Sequence, residues 1–381
     1  MKILVVGAGM MARPVAYDLV RQDDVEEVCL VDHEKPKLAR IRRWLNSSKV
    51  TVAQADASNI LQMEPLMAQY SVAVSCVPYH VNYVLAQAAI NTGTNLCDLG
   101  GSNTIVHQQL SLADTARKAE VTIIPDCGLA PGLVGVLAAD GVAKLDRTAA
   151  IHIRVGGLPQ RPKPPLNYGL LFSAHGLINE YVEPCLTLRD GKLRSVQPLS
   201  EPEELVFPDP FGTLEAFNTS GGSSTLPHTF KGKVRNLDYK TIRYPGHLAI
   251  LTVLRELGLF DPLSVDIRGV LVSPRDVVAA VLERNLGVER DDVVLLRVDV
   301  TGTKSRKPRT IRYELVDYAD KDTGMTAMMR TTGFPAAVIA LMLGRKQIRR
   351  RGVFTGERVV PADVLIDELR VRGIKVQVTE N

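Results

Sequence analysis

Aromatic residues and cysteines are both scarce in this 381-residue chain, which has 5% Phe, Trp and Tyr and only five cysteines. The number of cysteines is odd and no Cys-x-x-Cys pair occurs, which excludes a fully paired disulfide framework and a zinc ribbon. Reduced thiols and a cytoplasmic location are therefore expected. The seven histidines show no metal-ligand spacing, so no metal site is predicted.

The sequence also lacks a strong excess of one charge and a long apolar run. Its 46 Lys and Arg residues against 42 Asp and Glu give a net charge of +4, which is not the footprint of a nucleic-acid-binding protein. The short basic cluster at 345–351 is interpreted as a solvated helix end or a subunit contact. No run has the length of a transmembrane helix, and a strand pattern starts at residue 2, so neither a membrane partner nor a signal peptide is predicted.

What the first 32 residues do contain is a strand, a glycine-rich turn, a helix, a second strand and an acid. The apolar run 2–6 leads into Gly-Ala-Gly-Met-Met-Ala at 7–12, and the apolar run 28–31 ends at Asp32. In a dinucleotide-binding fingerprint, the first glycine allows the tight turn and the second lets pyrophosphate approach the backbone. The small third residue lets the helix pack closely on the strand, and free N–H groups at the helix start face the phosphates.

Asp32 favours NAD as the cofactor. It follows Gly9 at close to the roughly 20-residue spacing of an acid that accepts a hydrogen bond from the ribose 2′-hydroxyl. The same carboxylate would repel a 2′-phosphate, although His33 and Arg40 lie near it in the sequence. The alternative is a strand-to-helix turn that binds no nucleotide.

Short strands and helices alternate as far as residue 125. This order predicts an α/β fold with a doubly wound, parallel Rossmann sheet, whose strand carboxyl ends hold the ligand. For Asp56 the alternative is a helix cap, and Cys127 is interpreted as a small packing residue rather than a nucleophile. The residues expected to contact the cofactor are Gly7, Gly9, Met10, Met11, Asp32, Asp56, Ala57, Cys76, Val77, Pro78, Leu99 and Cys127.

The pattern changes at a Gly- and Pro-rich turn near residue 125, beyond which strand patterns dominate. We predict an NAD-binding Rossmann domain at 1–130, a second α+β domain for substrate and oligomerisation at 131–325, and C-terminal helices at 326–381 that return to the first domain. The strand patterns of the second domain lie at 149–155, 192–197, 230–236, 295–300 and 310–318.

Four separated motifs resemble those of the saccharopine dehydrogenase-like superfamily. They are Gly-Ala-Gly-Met-Met at 7–11, Asp-Leu-Gly-Gly at 98–101, Pro-Asp-Cys-Gly-Leu-Ala-Pro-Gly at 125–132 and Arg-Tyr-Pro-Gly-His at 243–247. Within the superfamily the chain is most similar to NAD-dependent lysine 6-dehydrogenases. The resemblance implies a largely antiparallel substrate domain that builds subunit contacts, a homo-oligomer, and an active site between the domains.

The activity that the resemblance implies is oxidation of the ε-amine of L-lysine by NAD. Its products would be ammonia and the 6-semialdehyde, which cyclises to a piperideine carboxylate. Because relatives act on saccharopine and on carboxyspermidine-type compounds, a reductase that joins an amine and an aldehyde is one alternative. An arginine cluster for a second carboxylate would favour it, and Arg154 and Arg161 leave this open. A non-catalytic NAD-binding sensor is the other alternative.

Hydride transfer from an amine requires a base, and a fixed substrate requires an anchor for its carboxylate. Arg243 is the predicted anchor, because a guanidinium binds carboxylates bidentately; the alternative is a structural ion pair. The candidate catalytic residues are His247, His175 and Asp98, although either histidine could be a packing residue and Asp98 could bind ribose or cap a helix. The segment 215–227 is either a surface loop or a pocket wall. The other predicted substrate-binding residues are Thr225, Tyr168 and Glu215.

Overall fold

The structure is a computed structural model that describes all residues from Met1 to Asn381. The strands are β1 (Lys2–Val6), β2 (Glu27–Asp32), β3 (Val50–Gln54), β4 (Val72–Ser75), β5 (Asn95–Asp98), β6 (Thr122–Ile124), β7 (Arg147–Pro159), β8 (Cys185–Arg189), β9 (Lys192–Val196), β10 (Glu203–Phe207), β11 (Gly212–Asn218), β12 (Val234–Arg243), β13 (Val265–Ile267), β14 (Val270–Val272), β15 (Asp292–Lys304), β16 (Lys307–Tyr318), β17 (Gly352–Val353) and β18 (Gln377–Glu380).

The α-helices are α1 (Ala12–Leu19), α2 (Lys35–Leu45), α3 (Ile60–Met67), α4 (Asn82–Thr92), α5 (Asn103–Ser111), α6 (Ala113–Lys118), α7 (Leu133–Ala143), α8 (Ala174–Val182), α9 (Leu226–Phe230), α10 (His247–Glu256), α11 (Pro274–Leu286), α12 (Ala327–Gly344) and α13 (Ala362–Val371). Two short 3-10 helices lie at Tyr79–Val81 and Gly356–Arg358.

The chain forms two compact units. The first comprises Met1–Asp140 and Met329–Lys375, and the second comprises Gly141–Met328 and Val376–Asn381. The first unit thus runs past residue 130, where the sequence places the boundary. The last strand, β18, belongs to the second unit because it pairs antiparallel with β16.

The first unit is built on a seven-stranded sheet in the order β17-β6-β5-β4-β1-β2-β3. All its strand pairs are parallel, which confirms the predicted doubly wound Rossmann sheet. Strands β1 and β4 have no exposed residue except at the first position of β1, because helices cover both faces of such a sheet. The strand order reverses between β1 and β4, and ligands bind at the carboxyl ends beside such a reversal.

The helix α12 is the one helix with the length and composition that a membrane span needs, and 78% of it is buried inside the protein. Gly333 in this helix lies against α1, where an added Cβ would fall 2.3 Å from Cγ of Pro14. Burial inside the protein therefore explains why α12 is hydrophobic all round.

The second unit is built on a nine-stranded mixed sheet. Seven strands follow the order β10-β11-β12-β7-β15-β16-β18, and β8 joins β12 to β9. Strands β7 and β12 are parallel, whereas β15 pairs antiparallel with β7 and β16. The predicted strand at 230–236 starts too early, because residues up to Phe230 form α9 and β12 begins at Val234. Helices α8, α10 and α11 interrupt a region for which the sequence predicts mainly strands.

The polar segment 215–227 is not a surface loop. It continues β11 up to Asn218 and then runs through the interior towards α9. Its small hydroxyl residues are at most 8% exposed, and the side-chain oxygens of Thr219 and Thr241 lie 2.6 Å apart. Small polar residues are used here because they pair with one another or with backbone in a packed interior.

Candidate active site

The glycine-rich turn of the first unit has the geometry that a dinucleotide needs. Gly7 has a φ of +105°, and a Cβ there would lie 2.9 Å from the carbonyl oxygen of Cys76. A Cβ on Gly9 would meet no atom within 4 Å, so the space above that backbone is open. Ala12 is fully buried at the start of α1. The two glycines therefore have the separate roles expected of them, a tight turn and an open approach for pyrophosphate.

Asp32 closes the turn from the end of β2. Its Oδ2 accepts a hydrogen bond from the Ala8 backbone N–H at 2.8 Å, and its Oδ1 accepts one from the Glu34 N–H at 2.9 Å. Each oxygen retains a lone pair for a ribose hydroxyl. These residues fit a pyridine dinucleotide, with Met10 and Met11 following Gly9 directly at the mouth of the turn.

A cavity of about 240 Å³ opens beside this turn. The cations Arg13, Lys37 and Arg40 line it. Nζ of Lys37 lies 2.5 Å from Oε1 of Glu34, and Arg40 is exposed. Because cations next to the ribose are what a 2′-phosphate requires, the cavity complements NADP on one side while Asp32 opposes it on the other. The full lining is Ala8, Gly9, Met10, Arg13, Lys37, Arg40 and Ile41.

Replacing Asp32 with asparagine is therefore expected to shift nucleotide choice towards NADP. The amide keeps an acceptor oxygen but removes the charge that repels a 2′-phosphate, so we expect NADPH affinity to rise about tenfold or more relative to NADH. Nucleotide fluorescence titration measures both affinities. Adding Arg40→Ala should reverse the gain, whereas Arg43→Ala, exposed on the same helix but outside the cavity, should not. A wild-type chain that binds NADPH as tightly as NADH would contradict discrimination by Asp32.

The side chains of Asp32, His33 and Glu34 also place three potential metal-ligand atoms within 4.8 Å of one another. Asp32 is engaged by two backbone N–H groups, and Glu34 pairs with Lys37. These contacts account for the cluster as a turn at the end of β2. The absence of a metal stays a prediction.

Asp98 ends β5 and is completely buried. Its carboxylate accepts hydrogen bonds from the Gly100 N–H at 2.7 Å, the Gln109 Nε2 at 2.8 Å and the Asp126 N–H at 3.3 Å. Burial raises the pKa of this carboxyl group, and the three donors oppose that rise. The geometry disfavours Asp98 as a catalytic base, because its oxygens fix the turns after β5 and β6. Its binding to ribose stays a prediction.

Cys127 has no exposed surface, and its Sγ lies 3.2 Å from the carbonyl oxygen of Ile124. Burial raises the pKa of this thiol well above its usual range. The structure thus supports the packing role and disfavours direct contact between this side chain and a cofactor. The helix α3 is capped by Asn59, whose side chain accepts from the Leu61 N–H. Asp56 is exposed and accepts from the N–H and the hydroxyl of Ser58, which forms a turn before that helix and not its cap. Its role towards the cofactor stays a prediction.

The other five residues predicted to contact the cofactor are at least partly exposed and follow the ends of strands. Cys76 and Val77 are half-buried and Pro78 is exposed directly after β4, next to Gly7. Leu99 after β5 and Ala57 after β3 are half-buried. All five lie beyond carboxyl ends of the parallel sheet, where the fold places ligands.

In the second unit, a buried cluster surrounds Arg243, the last residue of β12. We call Arg243, Tyr168, Glu180, Tyr181 and His247 the Arg243 cluster. The guanidinium is 3% exposed, and its Nε donates to the Tyr181 hydroxyl at 3.3 Å. Its Nη2 lies 3.5 Å from Oε2 of Glu180, and its carbon lies 4.7 Å from the centre of the Tyr168 ring.

Two polar atoms of the cluster are buried without a hydrogen-bond partner. They are Oε2 of Glu180 and the hydroxyl of Tyr168. Burial raises the pKa of Glu180 to about 7, against the opposing effect of Arg243. Because buried polar groups are nearly always paired, these atoms indicate where a ligand supplies the missing partners.

His247 is 1% exposed, and both ring nitrogens are engaged. Its Nδ1 lies 3.0 Å from the Leu166 carbonyl oxygen, and its Nε2 lies 3.0 Å from the Tyr181 hydroxyl. Nδ1–H therefore donates to the carbonyl, and Nε2 accepts from Tyr181. Burial, with Arg243 nearby, lowers the pKa of His247 to about 3. This disfavours His247 as a base and makes it a residue that positions Tyr181.

The remaining predicted residues lie outside the Arg243 cluster or support it. The side chain of His175 is 51% exposed and its Nε2 lies 3.9 Å from Asp276. Glu215 accepts from the N–H groups of Gly246 and Leu248, so it fixes the start of α10. Thr225 is 4% exposed and precedes α9. The structure therefore brings together Arg243, Tyr168 and His247, and adds Glu180 and Tyr181, which sequence reasoning missed.

Two family models cover nearly the whole chain. Residues 3–124 match the saccharopine dehydrogenase NADP binding domain, and residues 128–374 match the saccharopine dehydrogenase C-terminal domain. The chain belongs to the saccharopine dehydrogenase family. This confirms the predicted superfamily and supports a pyridine nucleotide as the cofactor, without choosing between NAD and NADP.

Relatives of this saccharopine dehydrogenase-family chain differ in length and in the activity that their names describe. Carboxyaminopropylagmatine dehydrogenase from Synechocystis is 23% identical over 98% of this chain and 96% of its own length. Mitochondrial alpha-aminoadipic semialdehyde synthase from Bos taurus is 26% identical over 68% of this chain, which spans only 28% of that protein. Apo saccharopine dehydrogenase (L-Glu forming) from Saccharomyces cerevisiae, at 18% identity, superposes with a TM-score of 0.82 over 100% of this chain and 99% of that one, which confirms the fold.

Proposed function

We propose that this protein is an amine dehydrogenase that oxidises the ε-amine of L-lysine with NAD. A bound nicotinamide would accept the hydride from the carbon that bears the amine. Water would then replace the resulting imine nitrogen, which releases ammonia and leaves the 6-semialdehyde. That aldehyde can close on its own α-amine to a piperideine carboxylate.

The observation that carries this proposal is that Arg243 is buried without a close carboxylate partner. It is a cation with 3% exposure whose nearest carboxylate oxygen is 3.5 Å away. A guanidinium binds a carboxylate through two parallel N–H donors, so the substrate carboxylate supplies the contact that Glu180 makes incompletely. Tyr181, itself positioned by His247, holds the Nε side of the guanidinium in place.

A single anchor favours a substrate with one carboxylate at this site. Arg154 is bound by Glu203 and, at 2.6 Å, by Asp238. Arg161 is 82% exposed and lies 2.7 Å from Asp291. Neither therefore supplies a second buried cation with a weak partner, which a saccharopine-type substrate would use for its further carboxylates.

The second candidate function is that of a reductase which joins an amine to an aldehyde. The relative that favours it is the carboxyaminopropylagmatine dehydrogenase, which this chain matches over nearly the full length of both proteins. Both reactions pass through an imine, so the same nucleotide-binding unit can serve either of them. The difference between the two reactions therefore lies in which substrates the pocket binds.

The test of the proposed function is reduction of NAD by a panel of amines. We expect NADH formation with L-lysine, less with shorter diamino acids, and little with NADP. Tight nucleotide binding without turnover of any amino acid or diamine would contradict an amine dehydrogenase and favour a sensor. Turnover only when an amine and an aldehyde are supplied together with NADH would favour the reductase.

The homo-oligomer and the cytoplasmic location that the sequence suggests stay predictions. Sedimentation of the purified chain tests the first of them directly, because a homo-oligomer sediments above the 41.6 kDa of one chain.

A further inference from the structure

The contact between Arg243 and Glu180 differs from other arginine pairs of the same protein. Arg372 donates two hydrogen bonds to the carboxylate of Asp18, at 2.7 and 2.9 Å. Arg312 donates two to the carboxylate of Asp299, at 2.7 and 2.8 Å. Arg243 reaches Glu180 with one nitrogen only, at 3.5 Å. The pair is therefore close enough to attract but is not a closed bidentate bridge.

The polar groups left over at this pair are complementary to an amino-acid head. Nη2 of Arg243 needs an acceptor, and Oε2 of Glu180 needs a donor. The Tyr168 hydroxyl is also buried without a hydrogen bond. An α-amino acid carries an anionic acceptor and a cationic donor on the same carbon, so it can satisfy both members of the pair at once.

We propose that Arg243 and Glu180 together bind the zwitterionic head of an α-amino acid substrate, as a clamp. This inference rests on the proposed function. Arg243 binds the α-carboxylate, and Glu180 binds the α-ammonium group. A dicarboxylate without an ammonium group would face repulsion from Glu180, and a diamine without a carboxylate would leave the guanidinium unpaired. The clamp thus selects α-amino acids over amines in general.

The surroundings hold Arg243 in place and leave it donors for a ligand. Nε of Arg243 donates to the Tyr181 hydroxyl and one N–H of Nη1 donates to the Ile242 carbonyl oxygen, so Nη2 and the second N–H of Nη1 remain for a ligand carboxylate. Glu180 is on α8, and 27% of its side chain is exposed although its Oε2 is buried, whereas the side chain of Arg243 is 4% exposed.

Binding of an α-ammonium group by Glu180 should depend on pH. The raised pKa of Glu180, about 7, means that its carboxylate forms as the pH rises through neutrality. The other groups that face it are Arg243, Tyr168, Tyr181, Tyr239 and Cys185, and burial raises the pKa of the three tyrosines and the cysteine. These four stay neutral and Arg243 stays charged over that range. Affinity for an α-ammonium group should therefore increase as the pH rises through about 7.

The experiment is calorimetric titration of the full chain without oxidised nucleotide, so that no turnover is needed. The probes are L-lysine, 6-aminohexanoate, which lacks the α-amine, and 1,5-diaminopentane, which lacks the carboxylate. We expect L-lysine to bind at least about tenfold tighter than either analogue above pH 7, because breaking a buried charged contact costs more than the equivalent of tenfold. Glu180→Gln should weaken binding of L-lysine and remove its pH step, but it should not weaken binding of 6-aminohexanoate, which has no α-ammonium group for Glu180 to bind.

Glu283→Gln is the matched control, because it changes an exposed glutamate of the same unit and should leave all three affinities unchanged. Equal binding of L-lysine and 6-aminohexanoate to the wild-type chain would overturn the clamp, and this comparison does not depend on how any variant folds. Normal lysine oxidation together with that result would leave the proposed function standing. Conversely, an α-amino acid other than lysine that needs both charges for binding would support the clamp while lysine oxidation fails.

Discussion

Arg243→Ala is expected to weaken binding of the amino-acid substrate by roughly 2–5 kcal/mol, which is about 30- to 5000-fold in KM. The substitution removes the buried cation that we propose binds the substrate carboxylate, and it leaves Glu180 without the opposite charge 3.5 Å away. Removing one partner of a buried charged contact costs more than the contact contributes, because the other charge stays desolvated. Steady-state KM for L-lysine at saturating nucleotide measures the effect.

Arg161→Ala is the matched control for that substitution. Arg161 is an arginine of the same unit, but its side chain is 82% exposed and it pairs with Asp291 at the surface. Exposed pairs contribute little, so KM should change less than about twofold. Arg243→Lys separates charge from shape, and we expect it to recover only part of the loss because an ammonium cannot bind a carboxylate through a planar fork. An unchanged KM in Arg243→Ala would remove this residue from the site.

The first unit follows its sequence closely because its signals are local. The apolar run 2–6 is β1, and the apolar run 28–31 lies within β2. Parallel strands buried on both faces appear as continuous apolar runs, and the helices between them have apolar residues at helical spacing. Each element can therefore be identified from a short window of residues.

The second unit was harder to predict because its strands depend on distant partners. Strand β12 pairs with β7 in parallel and with β11 in antiparallel, and its predicted start falls in α9. Phe230, where the predicted strand starts, is instead the last residue of a short helix that Leu226 and Pro227 open and whose apolar side chains are buried. Tertiary packing thus overrides local preference here, as it often does for strands.

The residues of the candidate site also differ in how far the sequence predicts them. Gly7, Gly9 and Asp32 could be located from spacing alone, and Arg243 stood out by its chemistry. Tyr181 could not be found, because its contact with Arg243 joins residues 62 positions apart, through a helix that the sequence did not reveal. For the same reason the two hydrogen bonds that engage both ring nitrogens of His247 cannot be found from the sequence, whereas its residue type suggests a base.

Gly132→Ala is expected to destabilise the first unit by about 3–5 kcal/mol, a size reached only by a few mechanisms such as strain at a special backbone conformation. Gly132 has a φ of +135°, and a Cβ there would lie 2.2 Å from the Gly128 carbonyl oxygen and 2.5 Å from its nitrogen. Both obstacles are backbone atoms of the turn between β6 and α7, so no flexible side chain can move aside. The turn itself has to open, which exposes the buried groups around Asp98 and Asp126.

Gly93→Ala distinguishes the clash from the backbone conformation. Gly93 follows α4 in the same unit with a φ of +72°, and a Cβ there would meet no atom within 4 Å. Only the left-handed conformation opposes that change, at a cost of about 1–2 kcal/mol. Urea unfolding of both variants, followed by a probe in the first unit, should therefore give a clearly lower midpoint for Gly132→Ala. Equal midpoints would mean that the turn accommodates the methyl group and that the close approach of Gly128 and Gly132 does not determine its structure.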